Sequence, residues 1–225
     1  MKKIAILVDG GFYKKRAKTL YGSLTPEERC KELINYCYKH LQAKYEDKGE
    51  LYRIFYYDCP PIDKKIFHPL LKKQIDLTTT PVYEWNEAFI AQMMKNRKVA
   101  VRLGKISASS IEYRLRPKVT KAILNQKQDI SELTENDFEI DLTQKGVDMK
   151  IGIDIASLAF KKQVDRIVLI SGDSDFVPAA KLARREGIDF VLDPMWIKIK
   201  PDLFEHIDGL ITKAPNPHKN KSVNK

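Results

Sequence analysis

Asp173 and Asp175 stand one residue apart in "LISGDSDF" (169–176), directly after an apolar run. Two carboxylates so close raise each other's proton affinity unless a cation lies between them. Asp9 after "KIAILV", Asp58 after "LYRIFYY" and Asp193 after "IDFVL" end apolar runs in the same way. Oxygen-only, carboxylate-rich sites suit Mg2+ or Mn2+. Such ions activate water and clamp a phosphodiester, in two-metal sites about 4 Å apart. The chemistry on offer is metal-dependent phosphodiester hydrolysis. Plain structural roles compete with it. Asp9 before Gly10-Gly11 makes an Asp-Gly turn, and Asp58 before Cys59-Pro60-Pro61 and Asp193 before Pro194 initiate turns. Ser174 or Asp175 can cap the following helix, with Pro178 tolerated in its first turn.

Asp154 is harder to explain structurally. In the helical segment from Val147 it falls between the rows of Ile151, Ile155 and Leu158, on the inward side. A carboxylate there is costly unless a cation or hydrogen-bond donors compensate it. Asp148 sits in the first turn of the same segment, where the helix dipole accounts for it.

The elements that must position these groups are legible at both ends of the chain. "KIAILV" reads as a buried strand running into a loop at Asp9-Gly10-Gly11. Thr25, Pro26 and Glu28 open a helix with a capping box, followed by an apolar face of Cys30, Leu33, Ile34, Cys37 and Leu41. "LYRIFYYD" is β-rich. In the last third, strand and helix patterns alternate through "DRIVLIS", "DFVPAAKLARREG", "IDFVLD" and "DLFEHIDGLI". That alternation implies right-handed parallel crossovers and a helix-covered sheet, whose sites form at the carboxyl ends of strands. The middle reads less clearly. "IDKKIFHPLLKKQIDL" suggests a helix interrupted near Pro69, "NEAFIAQMMKNRK" a second helix, and "NDFEIDLTQ" a strand. "VAVRLGKI" and "SIEYRLRPK" suggest strands paired as a basic hairpin with Tyr113 interleaved.

The formal charge is +10, and residues 95–127 carry ten basic side chains against Glu112 alone, a net of +9. Concentrated positive charge favours a polyanion through counterion release. Arg102, Lys105, Arg114, Arg116 and Lys118 are the residues expected to orient a nucleic-acid backbone, with a lysine-rich solvated surface as the plainer reading. Cys30, Cys37 and Cys59 form no C-x-x-C pair, and the four histidines lack zinc-ligand spacing, so neither a disulfide framework nor a zinc site is expected. No apolar run spans a bilayer, and Ile4–Val8 is too short for a signal h-region, which points to a cytoplasmic protein.

"AILVDGGFY", "RIFYYD", "KGVDMKIGIDIASLAF", the "SGDSDF" block within Ile167–Leu192, and "LFEHIDGLI" together resemble the NYN domain of the LabA-like family, a branch of the PIN-like nuclease superfamily. The resemblance covers roughly residues 3–60 and 137–212. It implies a PIN-like three-layer α/β/α fold with a mostly parallel central sheet, and metal-dependent RNA cleavage. It places the family's acidic positions at Asp9, Asp154 and Asp173, and also at Asp148 and Asp175. One departure is plain: many relatives have D-G-x-N after the first strand, whereas residue 12 here is Phe12.

The resulting expectation is a Mg2+- or Mn2+-dependent ribonuclease with Asp9, Asp148, Asp154 and Asp173 as metal ligands and Asp175 beside them. Ser171 would hydrogen-bond a metal-bound water or a substrate phosphate. RNA is the expected partner, a homo-oligomer is compatible, and a membrane is not expected. The alternative is a non-catalytic RNA-binding or regulatory module on the same fold. Other acidic phosphotransfer folds fit poorly: Gly11 breaks a D-x-D motif, and Val99 stands where a P-loop needs its first glycine. One domain over 1–212 is expected, with 61–136 as a basic elaboration and 213–225 as a disordered basic tail.

Overall fold

Ile4–Val8 is apolar without alternation, the signature of a strand covered on both faces. In the structure, a computed structural model describing residues 1–42, 49–106, 111–141 and 144–217, all five side chains are buried. In chain order the elements are β1 (Lys3–Asp9), α1 (Gly10–Tyr21), α2 (Pro26–Lys39), β2 (Glu50–Asp58), β3 (Lys65–His68), β4 (Lys73–Asp76), α3 (Pro81–Met94) and β5 (Val99–Leu103). Then come β6 (Lys105–Ile106), β7 (Glu112–Leu115), α4 (Pro117–Leu124), β8 (Phe138–Asp141), β9 (Gln144–Lys145) and α5 (Val147–Phe160). The last described elements are β10 (Arg166–Ile170), α6 (Val177–Arg185), β11 (Asp189–Asp193), α7 (Pro201–Glu205) and β12 (Gly209–Leu210).

The chain divides into two compact units. The first comprises Met1–Asp58, Ala88–Gly104 and Gly146–Lys225. Its centre is a six-stranded, all-parallel sheet in the order β12-β11-β10-β1-β2-β5. The path runs outward from β1 through β2 to β5, then returns to β10 on the other side of β1. Right-handed crossovers travelling in opposite directions put their helices on opposite faces. Two neighbouring tyrosines of β2 show both layers. Tyr56 meets Phe89 of α3 edge-on at 5.6 Å, and the Tyr57 hydroxyl donates to Asp154 of α5 at 2.8 Å. The result is the expected α/β/α sandwich. Its strand order reverses between β1 and β10, and a crevice opens at their carboxyl ends.

Three local outcomes matter for the site. Gly10-Gly11 does not open a loop. β1 runs straight into α1, because Asp9 caps the helix by accepting the Phe12 N–H at 3.1 Å. A Cβ on Gly10 would stand 2.5 Å from the Tyr57 carbonyl oxygen, so only glycine lets the helix start this close to β2. α2 begins with the expected capping box between Thr25 and Glu28. α6 starts at Val177 and is closed by Gly187 at φ +83°. The three cysteines are buried free thiols. Of the expected tail, Ala214 is buried and accepts the Trp196 indole N–H at 2.9 Å, while the part from 218 lies outside the described residues.

The second unit comprises Cys59–Glu87 and Lys105–Lys145. Here the sequence reading needs two corrections. The stretch expected as an interrupted helix is an antiparallel hairpin, β3 with β4. Ile66 and His68 are buried while Lys65 and Phe67 are exposed, a period of two that the lysines obscured. The expected basic hairpin does not form either. β5 joins the main sheet beside β2, and β7 pairs antiparallel with the acidic β8. Opposite charges across the ladder explain that choice: Arg114 contacts Glu139 at 3.2 Å and Asp141 at 2.9 Å. His68 packs between Tyr113 and Phe138, with ring centroids at 4.3 and 5.0 Å. The unit holds eleven basic and eleven acidic residues, so the whole +10 excess belongs to the first unit.

Candidate active site

The acidic groups divide by whether a basic side chain compensates them. Asp58 ends β2 buried, accepting the Tyr56 hydroxyl at 2.6 Å and pairing with Lys14 at 2.7 Å. Asp154 faces the sheet as its position in α5 implied. There it accepts the Tyr57 hydroxyl at 2.8 Å and pairs with Arg102 at 3.2 Å. Burial, and then the Asp154 charge, push the Tyr57 phenol far above its usual range, so it stays a neutral donor. Arg102 also lies over the Phe55 ring, 5.7 Å from its centroid. Asp154 is thus a satisfied, charge-paired carboxylate.

Asp9, Asp148, Asp173 and Asp175 are different: among the described residues none of them forms an ion pair with a lysine, arginine or histidine. Three segments bring them to the crevice, namely the end of β1, the first turn of α5 and the turn after β10. Ser171 ties two of these segments together. It is fully buried, donates its hydroxyl to Asp9 Oδ2 at 3.1 Å, and accepts the Asp173 N–H at 3.3 Å. Asp173, rather than Ser174 or Asp175, is the capping residue of this turn, accepting the Asp175 N–H at 3.0 Å.

Electrostatics link the same groups. Burial holds the Asp9 carboxyl above the usual range, and the charges of Asp148 and Asp58 push it further; the Phe12 N–H and the Ser171 hydroxyl act in the opposite direction. Asp148, although exposed, is also raised, by partial desolvation first and then by the charges of Asp173 and Asp175. The helix-dipole account of Asp148 is therefore incomplete, since it shares a field with the other three acids. Asp154 lies further along the same helix. Six residues of helix, about 9 Å of rise, separate it from Asp148.

Convergent carboxylates without cationic partners are the donor set a hard divalent ion takes. Asp9, Asp148 and Asp173 are the residues that could hold such an ion. These oxygens are not drawn together as tightly as those of Asp202, Glu205 and His206, the three-residue group whose ligand atoms lie within 4.8 Å of one another among the described residues. That second group is largely exposed on the short α7 and contains its own Asp202–His206 pair at 3.5 Å.

Beside the acids lies an open cavity of about 320 Å³, lined by Asp9, Phe12, Ser171, Asp173, Ile197 and Lys200 among others. Ile197 and Lys200 were not foreseen, and Phe12 was noted only as a departure beside Asp9. The rule that found the aspartates, looking just past strand ends, would also have reached the loop after β11 if carried seven residues further. Of the basic residues expected to meet RNA, Arg102 and Arg114 are held in ion pairs. Lys105, Arg116 and Lys118 belong to the second unit and form no ion pair among the described residues.

A six-stranded parallel sheet flanked by helices, with its order reversing beside these aspartates, is consistent with a PIN-like three-layer α/β/α fold. The chain belongs to the NYN domain family, whose model matches residues 83–195, half of its length; NYN domains are typically nucleases. The matched span includes Asp148, Asp154, Asp173 and Asp175 and leaves out Asp9, whose place in the site rests on geometry. No curated protein matches the chain. Among solved structures, a protein of unknown function from Vibrio parahaemolyticus is similar at 16% identity, over 94% of this chain and 93% of that one, with a TM-score of 0.47. No helix among the described residues is long and apolar enough to cross a membrane.

Proposed function

We propose that this chain is a ribonuclease of the LabA-like branch, using Mg2+ or Mn2+ held by Asp9, Asp148 and Asp173 with Asp175 at the rim. The observation that carries the reading is the contrast in compensation. Asp58 and Asp154 have lysine or arginine partners, whereas among the described residues the four acids at the β1–β10 crevice have none. When bound there, the cation supplies water activation and neutralises charge building on the phosphodiester.

The protein's own groups orient that reaction. Ser171 holds Asp9 and the Asp173 backbone in one arrangement, and the Phe12 N–H fixes the second Asp9 oxygen. Both Asp9 oxygens are thereby directed before any ligand arrives. Asp154, with Tyr57 and Arg102, acts as a positioning group that sets the depth of α5 and so the reach of Asp148. The nucleic-acid substrate follows from the family and from the +10 charge of the first unit.

The test is incubation of labelled RNA with the protein in Mn2+, in Mg2+ and in EDTA. Cleavage in either metal, absent in EDTA and lost in Asp9→Asn and Asp173→Asn variants with wild-type circular dichroism, is the expected result. Salt-sensitive RNA binding without hydrolysis in either metal would overturn the enzyme and leave a binding module.

A further inference from the structure

The loop after β11 is held far more firmly than an exposed connection requires. Met195 and Trp196 both occupy the left-handed region, at φ +45° and +67°, a conformation costly for side chains of this size. Five hydrogen bonds hold it. Asp193 accepts the Met195 N–H at 2.8 Å, and Pro194 accepts the Ile197 N–H at 2.8 Å. Arg16 of α1 places two nitrogens on the Met195 carbonyl, at 3.2 and 2.7 Å, and the Trp196 indole donates to Ala214. What this loop presents to the cavity is Ile197 and Lys200.

Lys200 is exposed and forms no ion pair among the described residues; its ammonium donates to the Ser174 hydroxyl at 3.0 Å. It faces a cavity that also contains Asp9 and Asp173, yet it neutralises neither. A cation kept beside, but not on, an acidic cluster is available to an anionic ligand. Phe12 also lines this cavity. A Cβ on Gly172 would come within 2.8 Å of its ring, so glycine at 172 leaves room for that ring to lie against the strand end.

We infer that this cavity is a nucleotide subsite, with Lys200 on the phosphate of the RNA strand next to the acidic cluster and the Phe12 ring stacked on a base. The assignment rests on the ribonuclease reading and adds to it the groups that hold the strand. Lysine meets phosphate as a point charge and aromatic rings accept any base face, so the subsite reads backbone and stacking rather than sequence.

The test is RNA-oligonucleotide affinity measured against salt in EDTA, with cleavage in Mn2+ measured in parallel. Lys200→Ala should reduce the slope of log K on log salt by about 0.7, one phosphate contact to a single strand. Lys200→Arg should restore it, and the exposed Lys161→Ala should leave it at the wild-type value. Phe12→Leu should weaken binding about fivefold or more at unchanged slope, while Phe12→Tyr retains affinity. A wild-type protein that binds and cuts RNA, with Lys200→Ala and Phe12→Leu indistinguishable from it, overturns this subsite alone. A wild-type protein that neither binds nor cuts RNA overturns the ribonuclease reading and the subsite with it.

Discussion

Replacing Asp193 with alanine probes the foundation of the loop that carries Lys200. Asp193 is fully buried at the end of β11. Its carboxylate receives the Tyr36 hydroxyl, His40 Nε2 at 2.8 Å, the Met195 N–H at 2.8 Å and the Lys213 N–H at 3.4 Å. Alanine strands Tyr36, His40 and the Met195 N–H in the interior. Each buried orphan costs about 1–3 kcal/mol, and losing Asp193 leaves several of them at once. We therefore expect a loss of about 4 kcal/mol. At about 2–4 °C per kcal/mol for a chain of this size, the melting midpoint falls by about 8–16 °C. Urea titration should show a lower midpoint at unchanged slope, because the surface exposed on unfolding is the same. Asp193→Asn retains an oxygen for the Met195 N–H and should lose less than half as much. An alanine variant within 1 kcal/mol of wild type would refute the claim that this network holds the loop.

Three other outcomes follow from the same geometry. Asp148→Asn should abolish Mn2+-dependent cleavage and also the thermal stabilisation by Mn2+, about 2.7 kcal/mol at a hundredfold excess over Kd; Asp154→Asn should keep both, and the reverse ranking would restore Asp154 as a ligand. The raised Asp9 and Asp148 carboxyls favour folding below the ordinary carboxylate range, and that contribution is lost as pH rises through their higher folded-state values. In EDTA, Asp9→Asn should therefore gain stability over wild type from about pH 4 upward and then level off, whereas parallel melting curves would contradict the assigned shift. Gly10→Ala should cost about 1–3 kcal/mol in urea titration, since its Cβ would meet the Tyr56 hydroxyl at 2.4 Å and the Tyr57 carbonyl oxygen at 2.5 Å; a neutral change would mean that β2 gives way more easily than packed backbone should.

Whatever depends on near neighbours was readable from the residue order. Apolar runs ending in Asp9, Asp58 and Asp193 are strand ends in the fold, and Thr25–Glu28 is a capping box because both partners lie within one turn. Parallel crossovers follow from strand–helix alternation, so the crevice itself was expected. Tertiary structure decided which aspartates are compensated. Asp154 was hard to explain from the sequence because it faces inward; in the fold Arg102 reaches it from 52 residues away and Tyr57 from 97. Asp148 looked explained by its own helix, yet Asp173 and Asp175 act on it from another segment. Within the basic window, the fold pairs Arg114 of β7 with Glu139 and Asp141 of β8, a partnership that the residue order does not show. A residue's type and spacing set what charge it carries, whereas only the folded chain determines which charges end up beside it.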